Sequence, residues 1–161
     1  MIGTGDEGSV LIGALNPAYV QVVAIADIRP YNVHRAFHGD WTSPVALEAR
    51  PGLMAKYGWK TREEADKHVT VYAQDYHDLL KDPKVEAVIT ALPLHLHAQV
   101  AVEAMRAGKH VLSEKLMGHS VAQCKVMGRV AEEQGLYLAG GHQRHYSILY
   151  DNAVNLIRWG V

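Results

Sequence analysis

The fold is decided near the start of the chain by Gly3-Thr4-Gly5-Asp6-Glu7-Gly8, which fits the pattern G-x-G-x-x-G. In this pattern the first glycine permits a tight turn, the second lets the backbone approach a ligand, and the third allows a helix to pack closely on a strand. Free N–H groups at the start of the following helix favour an anion there. Three glycines in six residues are also typical of an ordinary turn, so the motif needs support from the rest of the chain.

The next stretch provides that support. Residues 20–27 (VQVVAIAD) form a nearly continuous β-branched run, which is typical of a parallel strand covered on both faces. Asp27 ends this run about 20 residues beyond the motif, the spacing at which a carboxylate binds the adenosine ribose hydroxyls of a dinucleotide. A solvated strand end or a helix cap is the alternative role for Asp27. The two features together predict a dinucleotide site.

Asp27 also bears on which dinucleotide binds. A carboxylate at this position repels a 2′-phosphate, so we expect NAD as the cofactor. Arg29 lies close enough in sequence to leave NADP open, because an arginine can accommodate the same phosphate.

Strand-like and helix-like stretches alternate along the chain, and residues 30–51 interrupt them as an expected long irregular excursion. The expected strands after residues 20–27 are 69–72, 87–92, 109–113 and 136–139. The expected helices are 8–15, 51–57, 61–68, 76–80, 95–107, 121–134 (with Ser120 as its N-cap) and 149–159. This order predicts the α/β class, with a doubly wound parallel sheet of the Rossmann type and helices on both faces.

The ends of the chain predict an incomplete protein. Only Met1 and Ile2 precede the glycine motif, whereas a central strand usually runs about five or six residues, so the first strand is expected to be truncated. We expect a dinucleotide-binding Rossmann domain over residues 1–146. A helix over 147–161 then leads towards a second, substrate-binding domain absent from this chain. Such a fragment is expected to be inactive alone.

Composition limits the partners of the protein. The 161 residues carry 16 basic and 17 acidic side chains, which gives no electrostatic reason to expect nucleic acid or an anionic membrane as a partner. No stretch approaches the roughly 18 apolar residues of a membrane span. A single cysteine, Cys124, suits a reducing compartment. We expect a cytoplasmic protein, with an export signal upstream of residue 1 left open.

Five stretches resemble the Gfo/Idh/MocA (glucose–fructose oxidoreductase, inositol dehydrogenase, rhizopine catabolism) family, and the resemblance covers essentially the whole chain as the N-terminal domain of that family. They are residues 3–8, 22–27, 91–97 (ALPLHLH), 114–115 (EK) and 141–146 (GHQRHY). The resemblance implies a dehydrogenase that transfers a hydride to or from a carbohydrate, inositol or related polyol. It also implies a homo-oligomer for the full-length protein.

The same resemblance assigns roles within the site. It places Lys115 beside the substrate hydroxyl, where the lysine exchanges a proton as the catalytic residue, with Glu114 positioning it. Leu116 replaces the proline of the family, which is often cis. Because a non-proline cis bond costs about 2.5–4 kcal/mol, the Lys115–Leu116 peptide is predicted to be trans. The expected cofactor-binding residues are Gly3, Thr4, Gly5, Asp6, Glu7, Gly8, Asp27, Arg29, Leu92, Pro93, Leu94, His97, Glu114, Lys115 and Arg144.

Several alternatives stay open at this point. Glu114 and Lys115 form a surface pair if they carry no function, and Arg144 an ordinary ion pair. His95 and His97 supply polarity at a helix start or form a metal-binding pair, although no metal is expected because nothing supplies a third and fourth ligand. At the level of the protein, the alternatives are a non-catalytic NAD-binding module or inactive fragment, an NAD-dependent glycoside-cleaving relative, and a methyltransferase that shares the glycine turn.

Overall fold

The computed structural model describes residues 1–161, which form an α/β structure. The strands are β1 (Ala24–Ala26), β2 (Thr70–Tyr72), β3 (Ala87–Thr90), β4 (His110–Ser113) and β5 (Leu138–Gly140). The helices are α1 (Asp6–Ala14), α2 (Pro30–His38), α3 (Pro44–Ala49), α4 (Gly52–Tyr57), α5 (Arg62–Ala65), α6 (Tyr76–Lys81), α7 (Leu94–Arg106), α8 (Val121–Gln134) and α9 (Ile148–Trp159). A 3-10 helix over Gln143–Tyr146 precedes α9.

The strands lie parallel, and the first two residues join them. β1 pairs with β2, while β3, β4 and β5 form a second ladder. Ile2 bridges Ala26 on one side and Thr90 on the other. The Ile2 amide donates to the Ile89 carbonyl at 2.8 Å, and the Ala26 amide donates to the Met1 carbonyl at 2.8 Å. The order is therefore β2, β1, residues 1–2, β3, β4, β5, which confirms the doubly wound sheet.

Helices cover both faces of this sheet, each over its own apolar core. On one face Val88 and Ala26 pack with Leu79 of α6, Met105 of α7 and Met127 of α8. On the other face Ile25 packs with Ile12 of α1, Phe37 of α2 and Leu53 of α4. Neighbouring strand residues point to opposite faces, so the continuous apolar runs in the sequence fill two cores at once.

Strand β1 is shorter than the strand predicted over residues 20–27. Only Ala24–Ala26 pair as a strand, and the Tyr57 hydroxyl takes the place of a neighbouring strand further upstream. This hydroxyl accepts a hydrogen bond from the Val22 amide and donates one to the Val20 carbonyl, each at 2.9 Å. A side chain thus satisfies backbone groups that would otherwise need a strand partner.

The prediction of an irregular excursion over residues 30–51 is wrong, because this stretch forms α2 and α3. Each helix has a proline in its first turn, where the missing N–H costs nothing. The Ser43 hydroxyl caps α3 by accepting a hydrogen bond from the Ala46 amide at 3.1 Å. Ala36 and Phe37 of α2 are fully buried in the second core, and this burial stabilises the helix. The His and aromatic residues of this stretch did not indicate a helix in the sequence.

The prediction of a trans Lys115–Leu116 peptide is also wrong, since this bond is cis. The Leu116 carbonyl lies 2.7 Å from Nδ1 of His97, a side chain that is almost fully buried. This contact depends on the tertiary fold. A prediction from the intrinsic trans preference of non-proline peptide bonds takes no account of it.

Two helical glycines give opposite expectations for stability. A Cβ on Gly13 of α1 would lie 2.6 Å from the Ala49 carbonyl oxygen, whereas a Cβ on Gly128 of α8 would meet nothing within 4 Å. We expect Gly128→Ala to raise the free energy of unfolding by about 0.5–1 kcal/mol, because alanine favours the helix. Gly13→Ala should lower it by about 1–3 kcal/mol through overpacking. Urea unfolding with unchanged m-values checks both, and equal effects of the two substitutions would contradict this packing.

Candidate functional site

A cleft of about 690 Å³ opens at the carboxyl ends of the strands. Its walls are the segments that follow Ile2, β1, β3 and β4, and they include Gly5, Asp27, Leu92 and Lys115. Open parallel sheets bind ligands at this edge, beside the point where the strand order reverses. That point is the position of residues 1–2, so the cleft lies where the topology predicts a site.

The glycine motif forms one end of the cleft, and its three glycines serve different purposes. Gly3 has a φ of +84°, and a Cβ there would lie 2.2 Å from the Ala91 carbonyl oxygen. A Cβ on Gly8 would lie 2.2 Å from the Gly3 carbonyl oxygen. Gly5 differs, because a Cβ on this residue would meet only Nδ2 of Asn32, at 3.8 Å. Protein packing therefore requires Gly3 and Gly8, whereas Gly5 leaves room for a ligand at the start of α1.

Asp27 ends β1 beside this loop, and hydrogen bonds fix its carboxylate. Oδ2 accepts from the Thr4 amide at 2.8 Å and from the Thr4 hydroxyl at 3.2 Å, while Oδ1 accepts from the Arg29 amide at 2.8 Å. Nδ2 of Asn32 donates to Oδ1 at 3.2 Å and to Oδ2 at 3.1 Å. The carboxylate thus keeps one orientation on the wall of the cleft, next to the glycine loop.

The two acidic residues of the motif would oppose an anionic ligand, and one of them is paired. Arg35 of α2 forms a salt bridge with Asp6, and the same guanidinium group lies 3.6 Å from the Asp40 carboxylate. The Arg35 side chain is 8% exposed and that of Asp6 is 78% exposed, so solvent screens this pair from the Asp6 side. Oε1 of Glu7 is buried without a hydrogen-bond partner.

The other end of the cleft is built on Glu114 and Lys115. Glu114 is 4% exposed, and its Oε2 accepts a hydrogen bond from the Lys115 amide at 2.9 Å. Gly141 packs so closely on this side chain that a Cβ would lie 2.6 Å from Oε1 of Glu114. The Lys115 side chain is exposed at the cleft and forms none of the salt bridges of the structure. A buried carboxylate therefore fixes the backbone of a lysine whose amine remains free to react.

His97 forms part of the wall between these two segments. Its Nε2 lies 2.7 Å from the Leu92 carbonyl oxygen and its Nδ1 2.7 Å from the Leu116 carbonyl oxygen. Both ring nitrogens are thus engaged by the protein itself, although the residue lines the cleft.

The structure brings most of the expected site residues together. Those that line the cleft are Gly3, Gly5, Asp6, Glu7, Asp27, Arg29, Leu92, Pro93, His97, Glu114 and Lys115. Thr4 and Gly8 belong to the glycine loop but do not line the cleft. Leu94, the first residue of α7, does not line it either. Arg144 also lies outside, with its guanidinium carbon 5.8 Å from the centre of the Tyr150 ring. No group of three or more His, Cys, Asp or Glu side chains converges as a metal site would require.

Sequence reasoning missed Asn32, which contacts both oxygens of Asp27. The signal was Pro30, because proline favours the first turn of a helix and would have placed Asn32 on a helix beside Asp27. It also missed the aromatic wall near Asp27, which Tyr72 and Tyr76 form.

Tyr76 belongs to a cluster of ionisable groups behind this wall. His77 lies 2.5 Å from Asp75 and 3.1 Å from Glu103, and Tyr76 donates a hydrogen bond to Glu103. The bond to Asp75 raises the pKa of His77 above 6.5, with the negative charges of Asp75 and Glu103 adding to the effect. Burial would raise the pKa of Glu103, but hydrogen bonds from Tyr76 and Gln99 and the charge of His77 hold it below its usual value.

The doubly wound sheet, the glycine turn and the carboxylate after β1 define a Rossmann dinucleotide-binding domain. An anionic dinucleotide fits the cleft, because the open side of Gly5 and the N-terminus of α1 face it while Asp27 flanks it. The sequence pattern of the oxidoreductase family GFO_IDH_MocA, an NAD-binding Rossmann fold, matches residues 1–142. The chain belongs to this family, whose Rossmann domain binds NAD.

Known relatives agree with this classification. The chain is 30% identical to the inositol 2-dehydrogenase/D-chiro-inositol 3-dehydrogenase of Lactiplantibacillus plantarum, over all of this chain and 39% of that protein. It is 31% identical to the dTDP-3,4-didehydro-2,6-dideoxy-alpha-D-glucose 3-reductase of Streptomyces violaceoruber, over 86% of this chain and 38% of that protein. The crystal structure of KijD10, a 3-ketoreductase from Actinomadura kijaniata in complex with TDP-benzene and NADP, superposes with a TM-score of 0.70. It is 26% identical and covers 99% of this chain and 42% of that one.

These shares also set the scope of the similarity. The chain spans about two fifths of the length of these relatives. No helix combines the length and apolar character needed to cross a bilayer.

The His77 cluster predicts a pH dependence of stability. Because folding raises the pKa of His77, this interaction stabilises the fold fully below pH 6.5 and is lost as the pH rises through the raised value. We expect His77→Gln to lower the free energy of unfolding at acidic pH and to converge with the wild type at alkaline pH. Urea unfolding across this range checks it, with exposed His95→Gln as the control. A His77 pKa at or below 6.5 by NMR titration would contradict the cluster geometry.

Proposed function

We propose that these residues are the cofactor-binding part of a longer oxidoreductase that moves a hydride to or from a carbon of a sugar, inositol or related polyol. One observation carries this proposal. A single cleft has an open glycine loop and a fixed carboxylate at one end and the Glu114–Lys115 pair at the other. Binding groups for the two halves of a dinucleotide and a group that exchanges protons thus lie along one surface.

The glycine loop and β1 hold the adenosine half. Backbone N–H groups at the start of α1 bind the pyrophosphate, and the open side of Gly5 allows its close approach. Asp27 accepts hydrogen bonds from the ribose hydroxyls, which displace the longer hydrogen bonds of 3.1–3.2 Å that the Thr4 hydroxyl and the Asn32 side chain make to its carboxylate. The salt bridge with Arg35 reduces the repulsion that Asp6 would exert on the pyrophosphate.

We infer that NAD is preferred over NADP. The negative charge of Asp27 disfavours a 2′-phosphate at this position. The exposed side chain of Arg29 at the rim is the one group that would attract such a phosphate, and KijD10 was crystallised with NADP. The preference is therefore a balance between one fixed carboxylate and one mobile guanidinium.

The nicotinamide supplies the hydride acceptor or donor when it is bound. Lys115 takes the proton of the substrate hydroxyl as a neutral amine during oxidation, and the resulting ammonium group returns that proton during reduction. Its exposed, unpaired amine suits this role, since an ion-paired lysine would first have to break that pair. Glu114 positions Lys115 through the backbone amide.

The relatives support the proposed substrate class. A dehydrogenase of inositols and a reductase of a dTDP-sugar share the interconversion of a carbinol and a carbonyl on a six-membered ring. In this proposal residues 147–161 lead into a second domain that supplies the substrate surface, and the full-length protein is a homo-oligomer. The exposed Ile148, Leu149 and Trp159 of α9 suit burial against such a surface.

Gly5→Ala tests the cofactor site. The added methyl group meets no protein atom nearer than 3.8 Å, so we expect the free energy of unfolding to fall by no more than about 1 kcal/mol. The affinity for NAD should fall at least about tenfold, because the methyl group occupies the approach to the pyrophosphate. Calorimetric titration measures this, with Gly128→Ala as the control. Unchanged NAD affinity would contradict the placement of the pyrophosphate.

Lys115→Ala tests the catalytic assignment. In a protein that spans the full length of the relatives, we expect kcat to fall by about 10²–10⁴-fold because the proton loses its carrier. The affinity for NAD should change little. Lys125→Ala, an exposed lysine on α8, is the control, and a panel of inositols and hexoses provides the substrates. An unchanged kcat in Lys115→Ala would assign the proton transfer to another group.

A further inference from the structure

His97 is the most completely enclosed ionisable side chain at the cleft, with 1% of its surface exposed. Each ring nitrogen faces a backbone carbonyl oxygen at 2.7 Å, that of Leu92 for Nε2 and that of Leu116 for Nδ1. Such distances are within the range of hydrogen bonds from a charged nitrogen donor.

The two carbonyl oxygens limit the hydrogen bonds that this ring can make. Carbonyl oxygens only accept hydrogen bonds, and a neutral imidazole has one N–H and one bare nitrogen. A neutral His97 would therefore direct a lone pair at one of two oxygens in a buried place, where an unmade hydrogen bond is costly. An imidazolium donates to both oxygens at once.

The two carbonyls belong to different walls of the cleft. Leu92 lies just beyond β3, in the segment that lines the cleft, and Leu116 directly follows Lys115. His97 on α7 thus connects the segment after β3 to the segment after β4 at the Lys115 end.

We propose that His97 is a buried imidazolium that serves as a positioning residue, holding the Lys115 segment against the Leu92 segment so that both contact the nicotinamide half of the cofactor. The location of that half rests on the proposed function, whereas the charge of His97 does not. Glu114, which is also buried, lines the same end of the cleft. The other ionisable groups there, Lys115 and His95, are exposed.

Nitrogen NMR of the ¹⁵N-histidine-labelled wild-type chain tests the charge. We expect both ring nitrogens of His97, assigned by through-bond correlations, to carry protons at neutral pH and to exchange slowly with solvent. One protonated and one bare nitrogen would overturn the proposal. This measurement does not depend on cofactor binding or on any variant. It therefore decides the charge of His97 even if the proposed function fails.

Paired titrations test the positioning role. ADP occupies only the adenosine and pyrophosphate end, whereas NADH also occupies the Lys115 end. We expect His97→Gln to weaken NADH binding about tenfold, because one side-chain amide cannot span both carbonyls, and to leave ADP binding unchanged. His95→Gln, two residues earlier on α7, should change neither.

The outcomes separate the two proposals. If His97→Gln weakens both ligands equally, or neither, His97 has no special role at the Lys115 end and the positioning proposal fails. If the wild-type chain binds neither ligand, the proposed function fails, and the NMR measurement alone decides the charge. If His97→Gln does not fold, the wild-type ring spectrum still decides it.

Discussion

The structure depends on the hydrogen bonds that residues 1–3 make to both of their neighbours. The Gly3 amide donates to the Ala26 carbonyl and the Ala91 amide to the Ile2 carbonyl, so this short segment joins β1 to β3. The chain then turns at Gly3, where the Ala91 carbonyl leaves no space for a side chain. Without these hydrogen bonds the two ladders would not form one sheet, and the two apolar cores would not pack on opposite faces of a shared sheet. The reversal of strand order at this segment also creates the cleft.

Charge within the cleft follows from the same geometry. The glycine turn delivers the N-terminus of α1 to the cleft with its free N–H groups. Asp6 and Glu7 stand in that first turn, where negative charge stabilises the helix but opposes a negative ligand. The buried Arg35 resolves this conflict for Asp6, and it comes from α2, the helix that also supplies Asn32 to Asp27. One helix thus contacts both the acidic loop and the Asp27 carboxylate.

The sequence predicted the parts of the fold that local patterns encode. The glycine turn, Asp27, the apolar strands and the Ser120 cap all follow from short-range rules, and the structure confirms the parallel sheet that they imply. The shortened β1 and the helices over residues 30–51 did not follow from such rules. The Tyr57 hydroxyl, distant in sequence, replaces a strand partner, and burial of Phe37 stabilises α2 against weak propensities. The cis Lys115–Leu116 bond likewise lies within a tertiary contact.

The two ends of the cleft differ in how completely they are fixed. At the glycine-loop end, Asp27 accepts hydrogen bonds from three neighbouring residues, so its carboxylate has little conformational freedom left to lose if a ligand binds. At the other end the backbone is equally constrained, by Glu114 and His97, but the Lys115 side chain is exposed and unpaired. A group that only binds gains from being rigid, whereas a group that exchanges protons must reach the reacting oxygen in more than one state. In the proposed function, an exposed amine on a constrained backbone therefore suits Lys115 to chemistry, and a fixed carboxylate suits Asp27 to recognition.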